Sequence, residues 1–184
     1  MILRWSLVAS AASEKRSEVA MNARAKSEKN GLAVFDIDGV VADVRHRLHH
    51  LEGRRSWNAF FDAAAEDGLL AEGARLVADL AREHEIVWLT GRPEWLRAVT
   101  EDWLAEHDLP DGELYLRPYA DYRPAPQYKL SVLRTLAPRG IAAVIDDDDE
   151  VVQAALLAGF PAALADWVPR SGALRRAQDK DGRT

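Results

Sequence analysis

Short apolar runs recur along the chain, each followed by a polar cluster and then by a stretch with helical spacing. The runs Leu32–Ile37, Ile86–Thr90, Glu113–Leu116, Ile141–Ile145 and Ala162–Ala165 are too short for helices and are bounded by polar or turn residues, so they read as strands. Between them, Trp57–Ala65 places Trp57, Phe60, Phe61 and Ala64 on one helical face, with Ser56 positioned to cap it. Glu72–Glu83 turns Leu76, Val77 and Leu80 inward, and Pro93–Glu106 carries its proline in the first turn. Tyr128–Leu136 and Glu150–Ala158 complete the helices, the latter closed by Gly159. Strands alternating with helices predict a parallel sheet covered on both faces. Trp88, Trp95, Trp103 and Trp167 fall on apolar faces and are expected in the core.

The two ends break this pattern. Residues 1–30 are rich in Ser, Ala, Lys and Glu without sustained periodicity and are expected to be a disordered extension, with Met21 an alternative start. Arg4 and Ser6 interrupt the only stretch resembling a signal peptide, which argues against export. From Arg170 the chain is polar again, so residues 170–184 are expected to form a flexible tail and residues 31–169 the folded domain.

With 184 residues the chain suits one α/β domain. No apolar run is long enough to cross a bilayer. The absence of cysteine excludes disulfides, thiolate metal sites and a cysteine nucleophile, and accords with a cytoplasmic setting. A net charge of −6 argues against a broad electrostatic trap for polyanions. One local exception is the cluster Arg45, His46, Arg47, His49, His50, Arg54 and Arg55, read either as a solvated face or as a phosphate-binding patch.

The candidate chemistry sits where the strands end. Asp36-Ile37-Asp38-Gly39 closes the first apolar run, and residues two apart on an extended backbone point the same way. Carboxylates that close repel unless a cation lies between them, and Mg²⁺ meets that need through oxygen ligands. Thr90-Gly91-Arg92-Pro93 ends the second run, Lys129 opens the segment Lys129–Leu133, and Asp146-Asp147-Asp148-Asp149 ends the fourth. Phosphoryl transfer needs these parts: a nucleophile, a proton shuttle, donors to the phosphoryl oxygens and neutralising cations.

In order and context, these motifs resemble the haloacid dehalogenase (HAD) superfamily of aspartate-nucleophile phosphohydrolases, over a span from Leu32 to about Trp167. The resemblance implies a Rossmann-like, HAD-type α/β fold: a three-layer sandwich with a central parallel sheet and a small helical cap within about residues 44–70. It implies Asp36 as nucleophile, Asp38 as general acid and base, and Thr90, Gly91 and Lys129 as phosphate-binding groups. Mg²⁺ would be held by Asp36, the backbone carbonyl of Asp38, and Asp147, with Asp146 bonded to Lys129 or to a metal-bound water. Asp148 and Asp149 are expected to be turn and helix-terminal charges. Arg92, Arg45 and Arg47 are candidates for substrate contact.

A finer resemblance joins Val87–Glu94, Thr100, Trp103-Leu104, Tyr115–Arg117, Asp121–Arg123, Lys129 and Ile145–Asp147 to the phosphatase module of polynucleotide kinase/phosphatases. This implies action on nucleic-acid 3′-phosphate ends. No phosphate-binding Gly-Lys-Ser/Thr loop accompanies it, so the kinase half of the bifunctional members is not expected in these residues. Two other readings remain open: a 5′/3′-nucleotidase acting on mononucleotides or other small phosphomonoesters, and a non-catalytic binding module on the same fold.

Overall fold

The computed structural model describes residues 29–181. The extension expected over residues 1–30, and the alternative start at Met21, lie almost wholly outside that range. The folded unit begins at Gly31.

The first strand, β1 (Leu32–Phe35), explains the architecture. Its side chains alternate: Ala33 and Phe35 enter one apolar core, and Leu32 and Val34 enter the other. A strand buried on both faces belongs at the centre of a parallel sheet. After β1 come β2 (Ala42–Asp43), a 3₁₀ helix (Val44–Leu51), α1 (Trp57–Asp62), β3 (Gly68–Leu69) and α2 (Ala71–Leu80). Then follow β4 (Glu85–Pro93), α3 (Arg97–Glu106), β5 (Glu113–Arg117) and α4 (Ala125–Leu136). The series ends with β6 (Ile141–Asp146), α5 (Asp149–Leu157), β7 (Ala162–Leu164) and α6 (Gly172–Asp181).

The main sheet is parallel in the order β5-β4-β1-β6-β7, with Phe35 level with Trp88 on one side and with Ile145 on the other. Val77 of α2 and Trp103 and Leu104 of α3 cover the face that receives Phe35. Tyr128, Leu133 and Leu136 of α4 and Ala155 of α5 cover the opposite face. This is the three-layer, Rossmann-like α/β sandwich of the HAD type. Chain direction across the sheet reverses between β1 and β6, and the crevice beyond their carboxyl ends is where such sheets bind ligands.

The cap insertion is small. Its base is the antiparallel ribbon of β2 and β3, and its interior is Trp57, Phe60 and Phe61 packed with Val44 and Leu51. Ser56 caps α1 by accepting from the Ala59 amide at 3.2 Å.

Three expectations are corrected. Pro93 ends β4 rather than starting a helix; a 3₁₀ turn, Glu94–Leu96, precedes α3 and swings Trp95 out of the core. Lys129 does not open its helix, because α4 starts earlier, at Ala125, with Pro126 in the first turn. Beyond Arg170 the chain forms α6, whose Leu174 and Ala177, three residues apart, bury a narrow apolar stripe among the cap residues. Two well-placed apolar residues hold a segment whose mean character is polar.

Candidate active site

β1 delivers Asp36 to the crevice, and its Oδ1 accepts from the Ile37 amide at 2.8 Å. The next turn folds back tightly, with Gly39 at φ +77°. A Cβ at Gly39 would lie 2.5 Å from Asp147 Oδ2, so only glycine lets the loops after β1 and β6 meet.

Lys129, buried on α4, stands between the two strand ends. Its Nζ is 2.7 Å from Asp36 Oδ2 and 2.7 Å from Asp146 Oδ2. Burial alone would lower this lysine, but Asp146 and Asp36 more than offset it and raise its affinity for the proton. Burial likewise raises Asp36 and Asp146 against the pull of Lys129, and raises Asp147 well above the ordinary carboxylate range. Oxygens of Asp36, Asp146 and Asp147 lie within 4.8 Å of one another. Lys129 serves Asp36 and Asp146, and Arg170 Nε lies 3.7 Å from Asp147, so three desolvated carboxylates face two cations and remain one positive charge short. An all-oxygen set this compact fits a hard divalent cation. Asp148 caps α5 by accepting from the Glu150 amide at 2.9 Å, as a helix-terminal charge should.

Asp38 is in a different environment. Arg92 Nε donates to its Oδ1 at 2.8 Å and Arg47 Nη2 at 3.0 Å. Burial would raise its pKa, but these two guanidinium groups prevail and hold it below the usual carboxylate range. Both arginines also clasp Asp67: Arg47 through Nε and Nη2, each at 2.7 Å, and Arg92 through Nη2 at 2.7 Å. Arg47 lies over the Phe60 ring at 4.1 Å, and the Trp103 indole donates to the Asp67 carbonyl at 2.8 Å.

Arg47 and Arg92 are thus fully buried ionic struts rather than a solvated patch awaiting substrate. Arg45 stays at the surface, in an ion pair with Asp43. Sequence reasoning missed Asp67. A signal did exist for Arg47: Val44, Arg47 and Leu51 are the buried stripe of their helix.

Thr90 and Gly91 come from the extended end of β4 and line a small pocket together with Asp36, Lys129 and Asp147. The Thr90 hydroxyl is buried and accepts from the Arg92 amide at 3.2 Å. Also on this pocket is a residue that sequence reasoning did not single out. Arg170 Nη1 lies 2.6 Å from Asp148 and its Nε 3.7 Å from Asp147, while Leu174 and Gln178 of α6 form the adjoining wall.

The family model for the LNS2 domain of PITM 1-3 matches residues 33–145, from the first strand to the end of the fourth apolar run. The chain belongs to this LNS2 family. Its LNS2 segment therefore carries Asp36, Asp38, Thr90, Gly91 and Lys129 but stops one residue before Asp146. Among solved structures, a chain of the Pnkp1/Rnl/Hen1 complex is 23% identical with a TM-score of 0.61, over 73% of this chain and 45% of that one. The LNS2 chain thus spans less than half the length of that relative. The HAD-hydrolase YfnB from Bacillus subtilis, bound to magnesium, is 11% identical with a TM-score of 0.53, over 74% of this chain and 88% of that one. The haloacid dehalogenase-like protein SP0104 from Streptococcus pneumoniae is 16% identical with a TM-score of 0.53, over 80% of this chain and 90% of that one. These likenesses establish the HAD-like fold. No curated protein sequence matches the chain. Among the described residues, no helix is long and apolar enough to cross a membrane.

Proposed function

We propose that this chain is a Mg²⁺-dependent phosphomonoester hydrolase that works through an aspartyl phosphate at Asp36, with nucleotides or nucleic-acid 3′-phosphate ends as its substrates. One observation carries the reading: a buried carboxylate at the tip of the central strand, 2.7 Å from a buried lysine and within a cluster of carboxylate oxygens. A retired site would have no reason to retain so much desolvated charge.

Asp36, Asp147 and the backbone carbonyl of Asp38 would hold the cation, with Asp146 fixing Lys129. Bound there, Mg²⁺ would neutralise the phosphoryl oxygens and align the phosphorus with Asp36. Asp36 Oδ attacks phosphorus as the bond to the leaving oxygen breaks, and Thr90, the Gly91 amide and Lys129 offset the charge on the phosphoryl oxygens. Asp38 gives a proton to the leaving oxygen and then takes one from the water that cleaves the aspartyl phosphate. Held ionised by Arg47 and Arg92, Asp38 is ready for the second role; the first requires it to pick up a proton and leave Arg92.

Assays with Mg²⁺ against 3′-phosphorylated oligonucleotides, nucleoside monophosphates and sugar phosphates test the reading. Turnover that stops in excess chelator and returns with Mg²⁺ is expected; no turnover of any phosphomonoester would leave the non-catalytic binding module. Asp38→Asn should slow turnover by roughly 10²–10⁴-fold. The loss should be smaller for an aryl phosphate, whose leaving group needs less protonation, than for an alkyl ester. Equal losses on both would count against Asp38 as the acid.

The arginine contacts add a pH prediction. Arg92→Leu removes one of the two cations that depress Asp38, so its pKa rises. Since Asp38 must be ionised to activate water, the acidic limb of the kcat profile should move to higher pH. A limb that stays in place would detach Asp38 from the rate-limiting proton transfer.

A further inference from the structure

The carboxylate site accounts for the phosphoryl group but not for what the phosphoryl group is attached to. Gly91 lines both the small acidic pocket and a larger cleft of about 570 Å³ beside it. Phe61 of the cap and Trp95 of the turn after β4 form one wall of that cleft, their rings 6.2 Å apart and edge to face at 88°. Tyr119 and Tyr122, from the segment between β5 and α4, contribute to its lining.

Trp95, Tyr119 and Tyr122 are 49%, 83% and 60% exposed, and they are the only exposed Phe, Tyr or Trp side chains among the described residues. Apolar side chains exposed singly are ordinary, but here the exposed Trp and Tyr side chains gather on one cleft that opens from the phosphoryl site, as at a ligand-binding groove. The charge in this cleft does not suit a polyanion. Asp62 lines it, Asp121 lines it paired with Arg123, and the Arg117 guanidinium is turned inward, donating to the carbonyls of Arg123 at 2.6 Å and Asp121 at 3.4 Å. Asn58 adds one amide, with donors and an acceptor, to the rim.

Resting on the phosphatase reading above, we infer that this cleft is a nucleoside subsite, in which the base of the phosphorylated unit stacks on Trp95 and Tyr122 while its phosphate reaches Asp36. Aromatic faces accept any base because every base has a π face. The size of the cleft, in the range of small-molecule sites, suits a whole nucleoside rather than a single phenyl ring. Recognition through one stacked nucleoside also takes the place of the phosphate-binding patch that is one reading of the Arg45–Arg55 cluster, since Arg47 is committed to Asp38 and Asp67 and Arg45 to Asp43. Affinity for a longer strand should therefore add little and depend only weakly on salt.

The test uses full-length Asp36→Asn protein, which binds without turnover, titrated with a nucleoside 3′-monophosphate, ribose 5-phosphate, a 3′-phosphorylated dinucleotide and a phosphotyrosine peptide. The nucleotide should bind about tenfold more tightly than the base-free ribose phosphate and quench fluorescence that is absent in Trp95→Phe. Adding Tyr122→Ala and Trp95→Ala should remove that advantage while leaving affinity for ribose phosphate and the melting temperature in place. A dinucleotide no more than a few-fold tighter than the mononucleotide would agree with a single subsite; a large, salt-sensitive gain would instead restore a strand-binding track and overturn the inference. Equal affinity for nucleotide and ribose phosphate, or tighter binding of the phosphotyrosine peptide, would also overturn it. Failure of the wild-type protein to turn over any phosphomonoester would strike the phosphatase reading and leave these binding results to be judged separately.

Discussion

Asp36→Asn should abolish phosphomonoester turnover, by about 10⁴-fold or more, and leave the fold intact. The substitution keeps the shape of the side chain and removes the oxygen nucleophile. Two effects on stability oppose each other. Burial raises Asp36 above its unfolded value, and a raised acid costs stability as pH climbs through the interval between the two values. Against that cost stands the pairing with Lys129, whose hold on its proton Asp36 strengthens, so the asparagine should leave stability close to that of the wild type. Lys129 retains Asp146 at 2.7 Å, so the variant does not strand a buried ammonium. Assay and thermal melting on the same preparation decide the point. An inactive protein with an unchanged or higher melting temperature fits a functional charge, whereas an inactive protein that melts much earlier would make Asp36 a structural residue.

The second large effect concerns stability. Arg47→Met should destabilise the protein by about 3–5 kcal/mol, because it leaves Asp67 buried with only part of its compensation and takes one partner from Asp38. The shift would be read from the denaturant midpoint, with the slope checked for an unchanged transition. The double variant Arg47→Met, Asp67→Leu should recover much of that loss by removing the stranded charge, although Arg92 then loses a partner. If the separate losses of Arg47→Met and Asp67→Leu simply add in the double variant, the ion network is contradicted, since contacting residues in one network couple.

These two sites also mark what can be read from the chain and what cannot. Asp36, Thr90 and Asp146 are legible because each terminates a run whose apolar character fixes it as a strand, and strand ends in a parallel sheet share one edge. Lys129 is legible only through its place in the series. Asp67 is not legible. In Glu66-Asp67-Gly68 it looks like any turn aspartate, and its role arises from Arg47 and Arg92, which lie 20 and 25 residues away in sequence. Arg47 belongs to a run of basic residues that reads as a solvated face, and its burial hides in the three- and four-residue spacing to Val44 and Leu51. Trp95 fails for a local reason. A 3₁₀ turn where regular helix was expected changes which way the indole points, so a residue assigned to the core becomes the wall of a cleft. The helix after Arg170 fails for the opposite reason, since Leu174 and Ala177 alone carry its burial and composition averages them away.

The aspartyl phosphate at Asp36 can be trapped directly. The protein would be mixed with Mg²⁺ and a ³²P-labelled phosphomonoester that it turns over, quenched in acid within one turnover, digested and mapped. Label is expected on the peptide containing Asp36, removed by hydroxylamine and missing from Asp36→Asn. Turnover that proceeds with no labelled peptide, or with label at another residue, would contradict Asp36 as the nucleophile.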